Sequence, residues 1–173
     1  MAEAAAAPAP PSSPAHGFIS YSHEDYRLFR RLKRHLKPLE TLLKISFWAD
    51  ERIEAGERWN DSIARAIADA SMHLLLFTPD FCASDYIFEI ELPAIQRKYA
   101  AGDLVLPVVA RRCMWQPFVS ALQAVPSRGG RLLPICEWKP QDSGLDAARD
   151  QLARAICGHL GKPIPPAFDW SRP

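Results

Sequence analysis

His73-Leu74-Leu75-Leu76-Phe77 is a short run of nearly unbroken apolar residues. A strand with one face in water alternates apolar and polar side chains. A strand covered on both faces does not need to. This run therefore reads as a strand in the middle of a sheet with layers on either side. Leu104 to Val109 has the same character, and the stretch between the two has helical spacing. Two doubly covered strands joined through a helix are the signature of a parallel sheet.

Working outward, Gly17-Phe18-Ile19-Ser20-Tyr21 reads as a first buried strand, and Ser22 to Asp25 as a turn or helix cap. From Tyr26 the period changes. Tyr26, Phe29, Leu32, Leu36 and Leu39 form one apolar stripe, with Pro38 marking a helix end nearby. Ile45 to Trp48 reads as a second strand and Trp59 to Ala70 as a second helix. Pro79 to Ser84 reads as a loop. Asp85 to Tyr99 reads as a helix that Pro93 either bends or begins. Leu132 to Cys136 is the candidate fifth strand, and Leu145 to Leu160 a closing amphipathic helix. The expected architecture is α/β: a flavodoxin-like three-layer fold with a central five-stranded parallel sheet, order 2-1-3-4-5, and helices on both faces. Residues 1–16 are expected to be a disordered Ala- and Pro-rich leader, 17–160 the domain, and 161–173 a Pro-rich tail.

The 173 residues carry 21 Lys+Arg and 20 Asp+Glu, a net charge of +1 that offers no broad surface for nucleic acid. The basic residues Arg27, Arg30, Arg31, Arg34 and Lys37 read as an exposed helix face. No apolar stretch approaches a membrane span. Cys82, Cys113, Cys136 and Cys157 form no C-x-x-C pair, so neither a disulfide framework nor a zinc site is expected. Reduced thiols fit a cytoplasmic protein. Neither a G-x-G-x-x-G nor a Walker-type loop is present, which argues against dinucleotide redox chemistry and NTP hydrolysis.

In open α/β sheets ligands bind beyond the carboxyl ends of the strands. Those exits are Ser20 to Asp25, Trp48 to Arg58, Thr78 to Glu91 and Ala110 to Phe118. At these exits the chain resembles a family. Phe18-Ile19-Ser20-Tyr21-Ser22 with its acidic pair resembles the opening box of TIR (Toll/interleukin-1 receptor) domains. Phe47-Trp48-Ala49-Asp50 with Ile53-Glu54-Ala55-Gly56 resembles their second strand and following loop. Leu76 to Phe81, Ala83 to Tyr86 and Glu91-Leu92 resemble their third strand and next helix. Pro107-Val108, Cys113-Met114-Trp115 and Pro117-Phe118 resemble the later segment of bacterial-type members. Four boxes in order, each at a sheet exit, make the resemblance specific.

Some TIR domains are scaffolds that bind other TIR domains. Others cleave NAD+ at the nicotinamide–ribose bond, in immune or defence signalling, and are activated by self-assembly. The resemblance implies that NAD+ is a substrate here, with no cofactor or metal, and that Glu91 is the catalytic residue. The spacing from Ser84 to Glu91 is one residue longer than in many relatives, which leaves Glu89 as a competitor. Breaking that bond builds oxocarbenium charge on the ribose, and a fixed anion stabilises it most in the transition state. Nicotinamide leaves as a neutral base, so no general acid is needed. The acceptor, water or the adenine of the same NAD+, sets hydrolase against cyclase.

The substrate contacts implied are Ser20 and Tyr21 at the first exit, Trp48, Asp50 and Arg52 at the second, Ser84 before the helix, and Trp115 after the fourth strand. Each has a plainer reading. Serine before a helix is an N-cap, tryptophans fill cores, and Tyr21 is half-buried packing. The loop Asp50 to Arg58 is the expected self-association surface, and contact with other TIR domains through it is the alternative, non-catalytic function. A receiver domain shares the topology but needs an acceptor aspartate ending strand three, where Phe77-Thr78 stands.

Overall fold

The computed structural model describes residues 15–50 and 59–168. The leader through residue 14, the loop residues 51–58 with Arg52, and residues 169–173 lie outside the described residues. Chain order is β1 (His16–Ser20), α1 (Tyr26–Leu43), β2 (Ser46–Trp48), α2 (Trp59–Asp69), β3 (Met72–Phe77), α3 (Pro79–Cys82), α4 (Leu92–Ala100), β4 (Leu104–Val109), α5 (Gln116–Val119), β5 (Ser127–Arg128), β6 (Arg131–Leu132) and α6 (Gln141–Leu160). The main sheet is parallel, in the order β2-β1-β3-β4, with helices around it. This is the expected flavodoxin-like arrangement, with four strands rather than five among the described residues.

The expected fifth strand is replaced by three short devices. Val125 makes one parallel bridge to Val108 beside β4. Arg131–Leu132 turns back on Ser127–Arg128 as an antiparallel hairpin. Ile135–Glu137 winds into a single 3-10 turn. The physical reason is local: Pro126 and Pro134 lack the N–H that a continued ladder needs. Gly129 and Gly130 both take positive φ, which makes the reversal.

Side chains alternate between two cores, as strand geometry requires. Ile19, Leu74, Leu76 and Val108 face Phe29, Leu32, Leu36 and Ile156 of α1 and α6. Phe18, Leu75, Phe77 and Val109 face Ile63, Ile67, Leu92 and Ile95 of α2 and α4. The proline in α1 does not end it. The helix runs to Leu43 with Pro38 inside it on the exposed side, while Leu39 and Leu43 are buried. An interior proline costs about 3 kcal/mol. Two leucines fully buried past it contribute roughly 3–6 kcal/mol, so burial decides where the helix stops.

α1 also protects the sheet edge. Glu40 accepts a hydrogen bond from the Phe47 N–H at 2.7 Å, and Lys33 donates to the Phe47 carbonyl at 2.9 Å. These occupy the outward backbone groups of the edge strand, which would otherwise be open to pairing. Past α6, Pro166–Phe168 forms a 3-10 turn and Phe168 is buried against the α1–α6 core. The described structure thus includes an ordered turn past α6, and its first strand includes His16. No helix among the described residues is long and apolar enough to cross a membrane.

Candidate functional site at the carboxyl edge of the sheet

β1 delivers Ser20 to its carboxyl end with the side chain on the α2–α4 face. There its hydroxyl donates to Oε2 of Glu91. Glu91 is only 6 % exposed, whereas Glu89, its competitor in the sequence, is exposed. The backbone explains the difference. Residues Ile87–Glu91 form a π-helical turn that runs directly into α4, and the Leu92 N–H bonds to the Ile87 carbonyl. Pro93 follows at once. In an unbroken α-helix, Pro93 would press its ring on the Glu89 carbonyl and offer it no donor. The wider turn removes that conflict. A turn closed from i to i−5 also holds one residue more than an α turn. It therefore takes up the extra residue between Ser84 and Glu91 and still points Glu91 inward.

The carboxyl group is electrostatically unusual. Burial pushes its pKa up to about 7; the Ser20 hydrogen bond works against this, and the Asp50 charge adds to it. Tyr86 feels the same pair: burial, then the charges of Glu91 and Asp50, push its hydroxyl up to about 12. Glu91, Asp50 and Tyr86 thus share one patch of negative potential, suited to a cationic group.

Tyr21 is buried. Its ring stacks on Phe29 with centroids 4.0 Å apart, and its hydroxyl donates to the Asp50 carbonyl at 2.7 Å. Tyr21 therefore ties the exit of β2 to that of β1 and positions Asp50. Trp48 stacks on Phe18 at 5.9 Å and leaves 43 % of its surface exposed, so it packs below and offers a free face above. Ser84 is the helix cap that its position suggests, accepting from the Ile87 N–H at 3.4 Å. Trp115 leans on Phe77, with centroids 6.4 Å apart. Ser20, Asp50 and Glu91 are brought together; Ser84 and Trp115 have these other partners.

One cluster was missed by sequence reasoning. Asp25, 4 % exposed, accepts hydrogen bonds from Thr78 and from Arg111, and Arg111 also pairs with Asp80 at 2.5 Å. This joins the exits of β1, β3 and β4. The signal available was weak: an aspartate in a cap cluster and an arginine after a strand. Arg111→Ala leaves Asp25 buried with one neutral partner. It is expected to lower stability by about 2 kcal/mol, less than the roughly 3–5 kcal/mol for breaking a fully buried pair, because Arg111 itself is partly exposed. A urea midpoint unchanged from wild type would show that the clasp does not hold the exits together. A separate cavity of about 230 Å³ beside α4, whose lining includes Leu75, Leu92, Ile95, Val105 and Phe118, is largely apolar and lacks the buried carboxyl of the Glu91 site.

A family model described as the TIR domain matches residues 18–143. A curated relative from Sinorhizobium fredii, named Uncharacterized protein y4lF, is 38% identical over 148 residues, covering 84% of this chain and 43% of that protein. The chain therefore spans less than half the length of that relative.

Proposed function

Since this chain belongs to the TIR-domain family, we propose that it is an NAD+ nucleosidase in which Glu91 stabilises the ribosyl cation as nicotinamide leaves. The observation that carries this reading is the buried Glu91 carboxyl, presented by the π turn and held by Ser20 at the carboxyl edge of the sheet. A helix glutamate with no task would sit in water, as Glu89 does. Removing a carboxyl group from water costs folding energy, which a site for a cation repays by electrostatic preorganisation.

In this mechanism the ionised Glu91 faces the ribose, and the Ser20 hydroxyl keeps its Oε2 in place. Asp50 adds negative potential next to it. The exposed face of Trp48 offers a stacking surface to a nicotinamide or adenine ring. Ser84, Trp115 and Arg52 complete the set of substrate contacts that the resemblance implies. NAD+ is the substrate, and no cofactor takes part. The acceptor is water for hydrolysis, or the adenine ring for cyclisation.

The test is incubation of concentrated protein with NAD+, wild type beside Glu91→Ala, with products separated by chromatography. Nicotinamide release that disappears in the variant is the expected result, with a loss of roughly 10³-fold. Release at equal rates would remove Glu91 from the chemistry. Because the working form is the carboxylate, kcat/KM is expected to rise with pH through about 7, the value for Glu91 in the free protein.

A second reading has its own support. Phe88 and Ile90, on the outer side of the π turn, are large and exposed, which suits contact with another TIR domain. Self-association through that surface and the Asp50–Arg58 loop would make assembly the switch for turnover. Specific activity that stays constant on dilution to monomers would count against this.

A further inference from the structure

Cys136 is exposed and Cys157 lies buried in α6, whereas Cys82 and Cys113 face one another. Cys82 ends α3, whose start is fixed by the Thr78 cap. Cys113 lies on the loop that leaves β4. The Cys82 thiol reaches the Met114 carbonyl at 3.8 Å, next to Cys113 in the chain, and each of the two cysteines perturbs the other's thiol. Both residues are partly exposed. The same two loops are tied a short distance away by the ion pair of Asp80 with Arg111 at 2.5 Å. The two cysteines are thus kept as neighbours by the packing of these loops.

We propose that Cys82 and Cys113 are a redox modification site, joined in an intramolecular disulfide by exchange with a low-molecular-weight disulfide such as oxidised glutathione. In the first step the Cys82 thiol gives its proton to solvent, and its sulfur attacks one sulfur of the oxidant. One small thiol leaves, and a mixed disulfide remains on Cys82. Cys113 then loses its proton and attacks the Cys82 sulfur. The protein disulfide forms and the second small thiol leaves. Two protein thiols are oxidised, and one external disulfide is reduced to two thiols.

The order follows from the effect of each thiol on the other. Cys113 favours the Cys82 thiolate, whereas Cys82 disfavours that of Cys113. Burial pushes both thiols up, and Cys113 to about 12. The first attack is therefore slow at neutral pH and accelerates as pH rises. The second is intramolecular between neighbouring groups, so it outruns release of the mixed disulfide. The new bond closes the chain between the exits of β3 and β4 and fixes the segment that carries Met114 and Trp115.

The experiment treats the full chain with oxidised glutathione at pH 8 and reads intact mass and disulfide-linked peptides. The expected product is lighter by two hydrogens, yields a Cys82–Cys113 peptide pair, and reverts in dithiothreitol. Cys136→Ser keeps this product. Cys82→Ser and Cys113→Ser lose it. Oxidation of the wild type raises the thermal midpoint by roughly 5 °C or more, and leaves that of Cys113→Ser in place. Stable glutathione adducts without the cross-link, a cross-link through Cys136, or no consumption of thiols would each overturn the proposal. The readout is the bond itself, so it is decided independently of whether the protein cleaves NAD+.

Discussion

Glu91→Gln is expected to unfold at a higher temperature than the wild type at pH 8, while losing the nicotinamide release proposed for it. In the folded protein the carboxyl titrates at about 7, against an ordinary 4.5. A raised carboxyl pKa means that the folded state holds the proton more tightly than the unfolded chain does. Below pH 4.5 both states are protonated and stability is complete. As pH rises from 4.5 to 7 the unfolded chain gives up its proton first, and stability falls. Above 7 the loss is constant. A shift of this size corresponds to about 3 kcal/mol. Glutamine has the same shape, still accepts from Ser20, and has no charge to bury. The two proteins should therefore coincide near pH 4.5 and diverge by up to about 3 kcal/mol by pH 8, or roughly 6–12 °C in midpoint for a domain of this size. Thermal unfolding of both proteins across pH 4–8 reads this directly. Parallel curves would mean that the folded protein does not bury a titrating carboxyl at position 91. Gain of stability with loss of turnover in one substitution is the behaviour of a functional group held in an unfavourable environment.

Gly17→Ala is expected to lower stability by about 3 kcal/mol, although it replaces one small residue by another in a strand. Gly17 lies opposite Phe47 in the β1–β2 register, and the Phe47 ring rests directly over its Cα. An alanine methyl would overlap ring carbons. β1 is paired on both sides, so its backbone cannot retreat. Phe47 must leave its place against the α1 leucines, or β2 must move. Overpacking of this kind costs about 1–3 kcal/mol, more when the neighbour is rigid. The second variant makes the cause specific. Phe47→Leu alone should weaken the fold, yet combined with Gly17→Ala it should restore part of the loss, because the two residues occupy one volume. Urea unfolding of the three variants measures this. Additive losses would place the cause outside the Gly17–Phe47 contact.

The proline positions show how far the linear text could be read. Pro93 was expected to bend its helix or sit near the start. It stands in the first turn of α4, directly after a π turn that the spacing of apolar residues cannot reveal. Pro38 marks a helix end nearby in the sequence, yet α1 continues past it to Leu43, because Leu39 and Leu43 are buried beyond it. Local propensity is readable in sequence. Its defeat by packing depends on which surfaces meet.

The sequence by itself determined the parallel α/β sheet, its first four strands and the edge where a site belongs. Uninterrupted apolar runs and helical stripes are local patterns, and the carboxyl-end rule follows from them. The family was legible for the same reason, in short boxes at the strand exits. Tertiary structure alone decided the rest. It separated Glu91 from Glu89 by burying one, made Tyr21 a strut for Asp50, and clasped Asp25, Thr78 and Arg111 together. It also brought Cys82 to Cys113, and replaced the fifth strand by a bridge and a hairpin. Each of these depends on residues far apart in the chain sharing one volume, or on backbone donors that a proline removes. Neither is expressed in the periodicity of any single segment.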